Sequence, residues 1–278
     1  MVELPRISIV TPSYNQGAFI QKTIESVLDQ SYPNLEYIVI DGGSNDNSVD
    51  IIRKYERYLT YWISEPDRGQ SHAINKGLAR ASGGIFSWLN SDDRLEPDAL
   101  TVVAEAFVNC PDVGAFVGHG RKVNLSGKTI YYKKPDNLTF EHLCGWMDGG
   151  NFMQPSCFFR RSAWEMAGPL DEDVHIAMDV DLWLKMVRKV TFKPIDKLLS
   201  TAVAHPDAKT TAYRNRMIVD CAIVVIRAGG YQHVKMKLED MADRLTKYQE
   251  LHQKITQHSL VRLIKPLLRN KFDFDKGP

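Results

Sequence analysis

Cysteine is scarce and scattered: Cys110, Cys144, Cys157 and Cys221 stand far apart, with no C-x-x-C pair among them. That spacing excludes a disulfide framework and a thiolate zinc site, and predicts reduced thiols of a cytoplasmic protein. No run of 18 apolar residues occurs, so no membrane-spanning helix is expected. No signal-like segment precedes the first apolar run, and neither internal repeats nor low-complexity tracts are evident. The formal net charge is only +1, which argues against a generic nucleic-acid binder. What is present suffices for one sizeable α/β core with an appendage, because 44% of the 278 residues are hydrophobic.

The first half repeats one grammar of strand, loop and helix. Residues 6–12 form a β-rich apolar run that stops at Pro12, and Ser13-Tyr14-Asn15-Gln16-Gly17 leads into helical spacing at Phe19, Ile20, Ile24, Val27 and Leu28. Residues 35–40 run into Asp41-Gly42-Gly43-Ser44-Asn45-Asp46, followed by a second helical pattern through Val49, Ile51, Ile52 and Tyr55. Residues 61–64 are a third short strand with the loop Glu65-Pro66-Asp67-Arg68-Gly69-Gln70. Such alternation predicts a parallel sheet with right-handed crossovers, and gathers these loops at one sheet edge.

At that edge the apolar run 85–89 empties into Asn90-Ser91-Asp92-Asp93. Open α/β sheets bind ligands there. Two adjacent carboxylates repel, and a hard divalent cation that also bridges a phosphate is one remedy. The plainer alternative is a cap on the helix that begins near residues 96–98.

Taken together, the chain resembles the family 2 glycosyltransferases of GT-A fold over residues 5 to about 212. The matching pieces are Ser8-Ile9-Val10-Thr11-Pro12-Ser13-Tyr14-Asn15, the Asp41 and Asp67-Arg68-Gly69 loops, Asn75-Lys76-Gly77 and Asn90-Ser91-Asp92-Asp93. Gly168-Pro169-Leu170-Asp171-Glu172 and Ala177-Met178-Asp179-Val180-Asp181-Leu182-Trp183-Leu184 follow in order. The resemblance implies a catalytic domain 1–212, donor-binding over 1–113 and acceptor-binding over 114–212, with a helical extension 213–278. Its fold would be a mostly parallel α/β sheet flanked by helices.

The implied activity is inverting, metal-dependent transfer of a sugar from a nucleotide-diphosphate donor, expected to be UDP-linked, to a glycan or lipid-linked glycan. Donor contacts would come from Thr11, Pro12, Tyr14, Asp41, Arg68, Asn75 and Asp92. Asp93 would ligate Mn²⁺ or Mg²⁺, with His205 as a donor or metal contact. Asp41, first after a strand, has the free carboxylate to accept from a base N–H, or caps the turn at Gly42-Gly43-Ser44; Asp46 reads as a cap. Arg68 suits a phosphate or an acidic partner, and His205 is otherwise an ordinary loop histidine. The general base implied is Asp179, at the first turn of a helix whose apolar face is Ile176, Val180, Trp183, Leu184 and Val187. Met178 stands where the family carries a second acid, which keeps Asp181 in contention. Acceptor contacts are expected at Trp146 and Gln154, Trp146 reading equally as core, and from Asp181. Other readings are a catalytically silent scaffold and a nucleotidyltransferase, although the loop after the first strand lacks the Gly- and Lys-rich composition of the latter.

The tail changes character. Leu238, Met241, Leu245, Tyr248, Leu251 and Ile255 recur at spacings of three and four within a charged helix from about Val234. Residues 258–272 are basic and apolar together, as in helices that lie on anionic membranes. Residues 234–272 are therefore expected to dock on the body, to form a homodimer or to hold the protein at the inner membrane face.

Overall fold

A computed structural model describes residues 4–206, 208–209 and 214–257. Two compact units emerge, Met1–Gly230 and Tyr231–Pro278. The division therefore falls at Gly230 rather than at 212, because the helix that follows residue 213 packs within the first unit.

In that unit the chain runs β1 (Ile7–Ser13), α1 (Ile20–Leu28), β2 (Leu35–Asp41), α2 (Ser48–Tyr55), β3 (Tyr61–Ser64), α3 (Gln70–Arg80) and β4 (Ile85–Trp88). There follow β5 (Arg94–Leu95), α4 (Ala99–Asn109), β6 (Val113–Val123), β7 (Thr129–Lys133), α5 (Phe140–Leu143), β8 (Cys157–Arg160) and α6 (Arg161–Ala167). The unit ends with α7 (Met178–Val187), β9 (Thr191–Val203) and α8 (Arg214–Arg227). Among the described residues the strands form one sheet, ordered β3-β2-β1-β4-β8-β6-β9-β5, with β7 hung on β6.

The donor half is parallel throughout, since β1 pairs in parallel with β2 and β4, and β2 with β3. Beyond β4 the sheet is mixed. β8 runs antiparallel to both β4 and β6, which turns β6 back to the direction of β4, and β9 is parallel to β6. Hence β1 to β4, β6 and β9 all end at one edge, and the loops that carry the acidic residues meet there.

Apolar periodicity explains what is buried. In α1, Ile20, Ile24 and Val27 lie on one face, and with Ile51, Ile52, Val103 and Phe107 they cover one side of β1 and β2. On the other side α3 comes unusually close to β1. A Cβ at Gly77 would sit 2.4 Å from Val10 Cγ1, so glycine there sets the helix-to-sheet distance. Trp88 stacks on Trp183 with ring centroids 5.3 Å apart, and both are fully buried. Trp88 is thus core, as its position inside the strand suggests.

The second unit contains α9 (Tyr231–Gln257), on which Leu238, Met241, Leu245, Tyr248, Leu251 and Ile255 are exposed. Residues 258–272, the membrane-binding segment expected from the sequence, lie outside the described residues.

Candidate active site

The loops after β1 and β2 are zipped together by side chains. Asn15 Oδ1 accepts from the Asn45 amide at 2.9 Å, Ser44 Oγ from the Asn15 amide at 2.8 Å, and Ser48 Oγ from the Gln16 amide at 2.9 Å. Asp46, expected to cap, stands one residue before the N-cap Asn47 of α2 and bridges the two loops, accepting from the amides of Gly17 at 2.8 Å and Ser48 at 2.9 Å. Tyr14 projects from this rigid pair of loops and is exposed.

Three residues expected at the donor site also bond within the fold. Asp41 is fully buried, and its carboxylate accepts from the hydroxyls of Ser13, Ser44 and Ser64 and the amides of Gly43 and Ser44. Five donors meet it, so in this arrangement it organises the turn that follows β2. Thr11 is fully buried too, its hydroxyl 3.1 Å from Tyr37 Oη. Asn75 uses both ends of its amide on Leu170, donating to its carbonyl and accepting from its amide, each at 2.9 Å. That clamp ties α3 to the loop before α7. Pro12 is buried, and its carbonyl accepts from Ser91 Oγ, which fixes the acidic loop to β1.

The acids lie in a loop held from two sides. Thr23 Oγ1 donates to the carbonyls of Ser91 and Asp93, both at 2.7 Å, holding the loop on α1. Asp93 is buried, and burial together with the charge of Asp92 holds its carboxyl well above the usual carboxylate range. Asp92 Oδ2 lies 2.9 Å from Nε2 of His205, a buried imidazole stacked on Phe19 with centroids 4.3 Å apart.

Two carboxylates and an imidazole suit a hard divalent cation, and a cation would relieve the repulsion that loads Asp93. Among the described residues no three such groups already surround a common point. An ion there would take its remaining ligands from a bound diphosphate, as Mg²⁺ commonly does.

Polar amides link this cluster to α3, and the sequence pattern did not expose them. Gln70 Nε2 donates to Asn90 Oδ1 at 2.6 Å, while Asn90 Nδ2 donates to Asp93 Oδ2 at 3.1 Å and to Gln154 Oε1 at 3.2 Å. Gln154 in turn donates to the Trp88 carbonyl at 2.9 Å. Its amide is thus anchored between Asn90 and the Trp88 carbonyl. Trp146 stands edge-on to Phe152, centroids 4.9 Å apart, and is half-buried. The one signal for the network was position: Gln70 opens α3 and Asn90 immediately precedes the acids.

Lys209 continues the chain of contacts, donating to Gln70 Oε1 at 2.7 Å and to the His175 carbonyl at 3.3 Å. Its charge also acts on Asp179. Burial pushes Asp179 up to about 6, against the lowering effects of the Val180 backbone bond and Lys209. Asp179 is half-buried at the head of α7, and its Oδ1 accepts from the Val180 amide at 2.8 Å. Asp181, by contrast, is buried and paired with Lys185 Nζ at 2.5 Å. Of the two acids, Asp179 has the freer carboxylate. Arg68 reaches Glu172 in a fork, Nε at 2.8 Å and Nη2 at 3.1 Å, the acidic partner that was one of its two expected roles. Being exposed, that pair is worth about 1 kcal/mol or less and is easily exchanged for a phosphate.

Comparison with known proteins agrees with this geometry. The sequence profile described as Glycosyl transferase family 2 matches residues 8–166. Chondroitin synthase of Pasteurella multocida is 30% identical over 208 residues, which cover 73% of this chain and 21% of that protein. The putative teichuronic acid biosynthesis glycosyltransferase TuaG of Bacillus subtilis is 33% identical over 144 residues, 49% of this chain and 56% of that one. The chain thus spans about a fifth of the chondroitin synthase it matches. Among solved structures, S. aureus TarS superposes with a TM-score of 0.61 at 18% identity, over 80% of this chain and 39% of that chain. TarS residues 1–349 have also been solved with UDP-GlcNAc. The mannosyltransferase PcManGT of Pyrobaculum calidifontis, solved with GDP-Man and Mn²⁺, gives a TM-score of 0.61 at 19% identity, over 94% of this chain and 83% of that chain. The chain belongs to glycosyl transferase family 2 and has a GT-A-like fold.

Proposed function

We propose that this glycosyltransferase moves a sugar from a nucleotide-diphosphate donor, a UDP-sugar in the first instance, to a hydroxyl of a glycan or lipid-linked glycan. Polysaccharide synthesis is the setting that its relatives' names support. The observation that carries the reading is Asp179, half-buried at the head of α7, raised to about 6 by burial and within reach of the charge of Lys209, which bonds Gln70 in the amide network that leads to Asp93. A carboxyl with that value is ionised at neutral pH, yet it is a stronger base than an exposed aspartate.

The reaction then balances simply. The acceptor oxygen attacks the anomeric carbon as the bond to the diphosphate oxygen breaks, and the acceptor's proton passes to Asp179. Attack from the face opposite the diphosphate inverts the centre. Arg68 and Lys209 bring positive charge to the departing diphosphate. Tyr14 offers a ring to the base. Asp93, with Asp92 and His205 beside it, would hold Mn²⁺ or Mg²⁺; such an ion, when bound, withdraws charge from the leaving diphosphate.

The donor's base and sugar are open to direct test, since structural neighbours were solved with both UDP-GlcNAc and GDP-Man. A thermal-shift panel of nucleotide sugars with Mn²⁺ identifies the donor, because a ligand of the folded state raises the melting temperature. No shift with any nucleotide sugar would refute the reading. A silent scaffold is disfavoured by a base held near neutrality, and a nucleotidyltransferase by the absence of a Gly- and Lys-rich loop after β1. The exposed apolar seam of α9 supports self-association as a further partner.

A further inference from the structure

We propose that the β6–β7 hairpin is a membrane-contact element that seats the catalytic edge against an anionic lipid surface. Because β6 runs parallel to β4, the hairpin tip leaves the sheet at the edge where Asp92 and Asp93 lie. The Ala204 amide donates to the Val123 carbonyl at 2.7 Å, so the tip begins beside the residue that precedes His205.

Composition and exposure coincide at this tip. Residues 121–135 contain five basic side chains and no acidic one. Arg121 is paired with Glu96 and Lys134 with Asp196. Lys128, just before β7, has no carboxylate within ion-pair distance among the described residues, and Lys133 at the end of β7 acts only at longer range on the exposed Asp136 that follows the hairpin. Beside them Leu125 is 68% exposed, Ile130 55%, Tyr131 43% and Tyr132 51%. Exposed apolar groups gathered on one short hairpin, on both faces of its β7 arm and at its turn, mark a contact element.

The chemistry selects a bilayer over a soluble polyanion. A polyanionic glycan would satisfy the lysines but would leave Leu125 and Ile130 in water. At the headgroup boundary Leu125, Ile130 and Tyr131 reach the acyl region while Tyr132 stays tied to His119 through its hydroxyl, the lysine stems snorkel to lipid phosphates, and the outer backbone edge of β7 stays hydrated. The proposal rests on the reading above only for its purpose, the delivery of a lipid-carried acceptor to Asp179.

The test uses the full chain with phosphatidylcholine vesicles and with phosphatidylcholine–phosphatidylglycerol vesicles. Flotation is expected with the second only, and Lys128→Gln with Lys133→Gln should lower partitioning about 30-fold, each lysine being worth roughly fivefold. A fluorophore on Leu125→Cys in a Cys110→Ser background separates this hairpin from any binding by residues 258–272. Its emission should shift to the blue on anionic vesicles and stay unchanged with soluble polyglutamate. A shift with polyglutamate and none with vesicles would make the hairpin a polyanion site, and no shift with either would leave it no ligand; both overturn the proposal. Unchanged melting curves exclude misfolded variants. Hydrolysis of a soluble donor should be unaffected by the lysine substitutions. Its absence in the unmodified protein would refute the catalytic reading and leave the vesicle result standing.

Discussion

Replacing Asp179 with asparagine should make the protein more stable and nearly inactive at once. Burial raises this carboxyl to about 6 from an ordinary value of 3.8. The folded state therefore binds the proton more tightly than the unfolded chain does, and stability falls as pH rises between those two values. Above pH 6 the full difference of about 2 pH units opposes folding by about 3 kcal/mol. Asp179 is only half-buried, so solvent screening reduces this to about 1–2 kcal/mol. Asparagine keeps the acceptor for the Val180 amide and removes the charge. Melting at pH 7.5 should then rise by about 2–4 °C, at roughly 2 °C per kcal/mol for a chain of this size. At pH 4 the gain should vanish, because the aspartate is then protonated in the folded state. Turnover should fall by roughly 10²-fold or more, since the amide cannot take the acceptor's proton, while nucleotide affinity persists. The unmodified enzyme should show kcat/KM rising with pH through about 6. An Asp179→Asn protein with normal turnover, beside an inactive Asp181→Asn protein, would transfer the base to Asp181. A melting temperature that falls at pH 7.5 would refute the burial argument itself.

Three further outcomes separate ligand contacts from framework. Asp93→Ala should abolish Mn²⁺-dependent nucleotide binding in calorimetry, and an unchanged metal-dependent affinity would remove the ion from Asp93. Asn75→Ala breaks two hydrogen bonds to Leu170 and should cost about 1–3 kcal/mol of stability with nucleotide affinity intact. Tenfold weaker nucleotide binding at an unchanged melting temperature would restore Asn75 to the donor site. Gly77→Ala forces a methyl to within 2.4 Å of Val10 Cγ1 and should destabilise by about 1–3 kcal/mol in denaturant titration, whereas a neutral effect would mean that α3 moves freely on β1.

By itself the sequence determined the parallel donor half and the sheet edge to which the loops of Asp92, Asp93 and Arg68 lead. Those features follow from local spacing, apolar runs that fit strands or helices and turn residues just beyond them, so a short window contains their cause. Residues 191–203 were not legible as the strand β9, because Lys193, Pro194, Asp196 and Lys197 break any alternation in a segment whose buried residues lie mainly at one end. Nor was β8, four residues long between an interrupted loop and a helix. The roles of polar residues lay further still from sequence. Whether Asp41, Thr11 and Asn75 were free for a ligand depended on Ser13, Ser64, Tyr37 and Leu170, partners 23 to 95 residues away. A hydrogen bond is decided by where two chain segments meet, and hydrophobic patterning specifies which face is buried without naming the atom opposite. For the same reason only the tertiary structure tied Gln70, Asn90 and Gln154 to the acids, and separated the freer carboxylate of Asp179 from the lysine-bound one of Asp181.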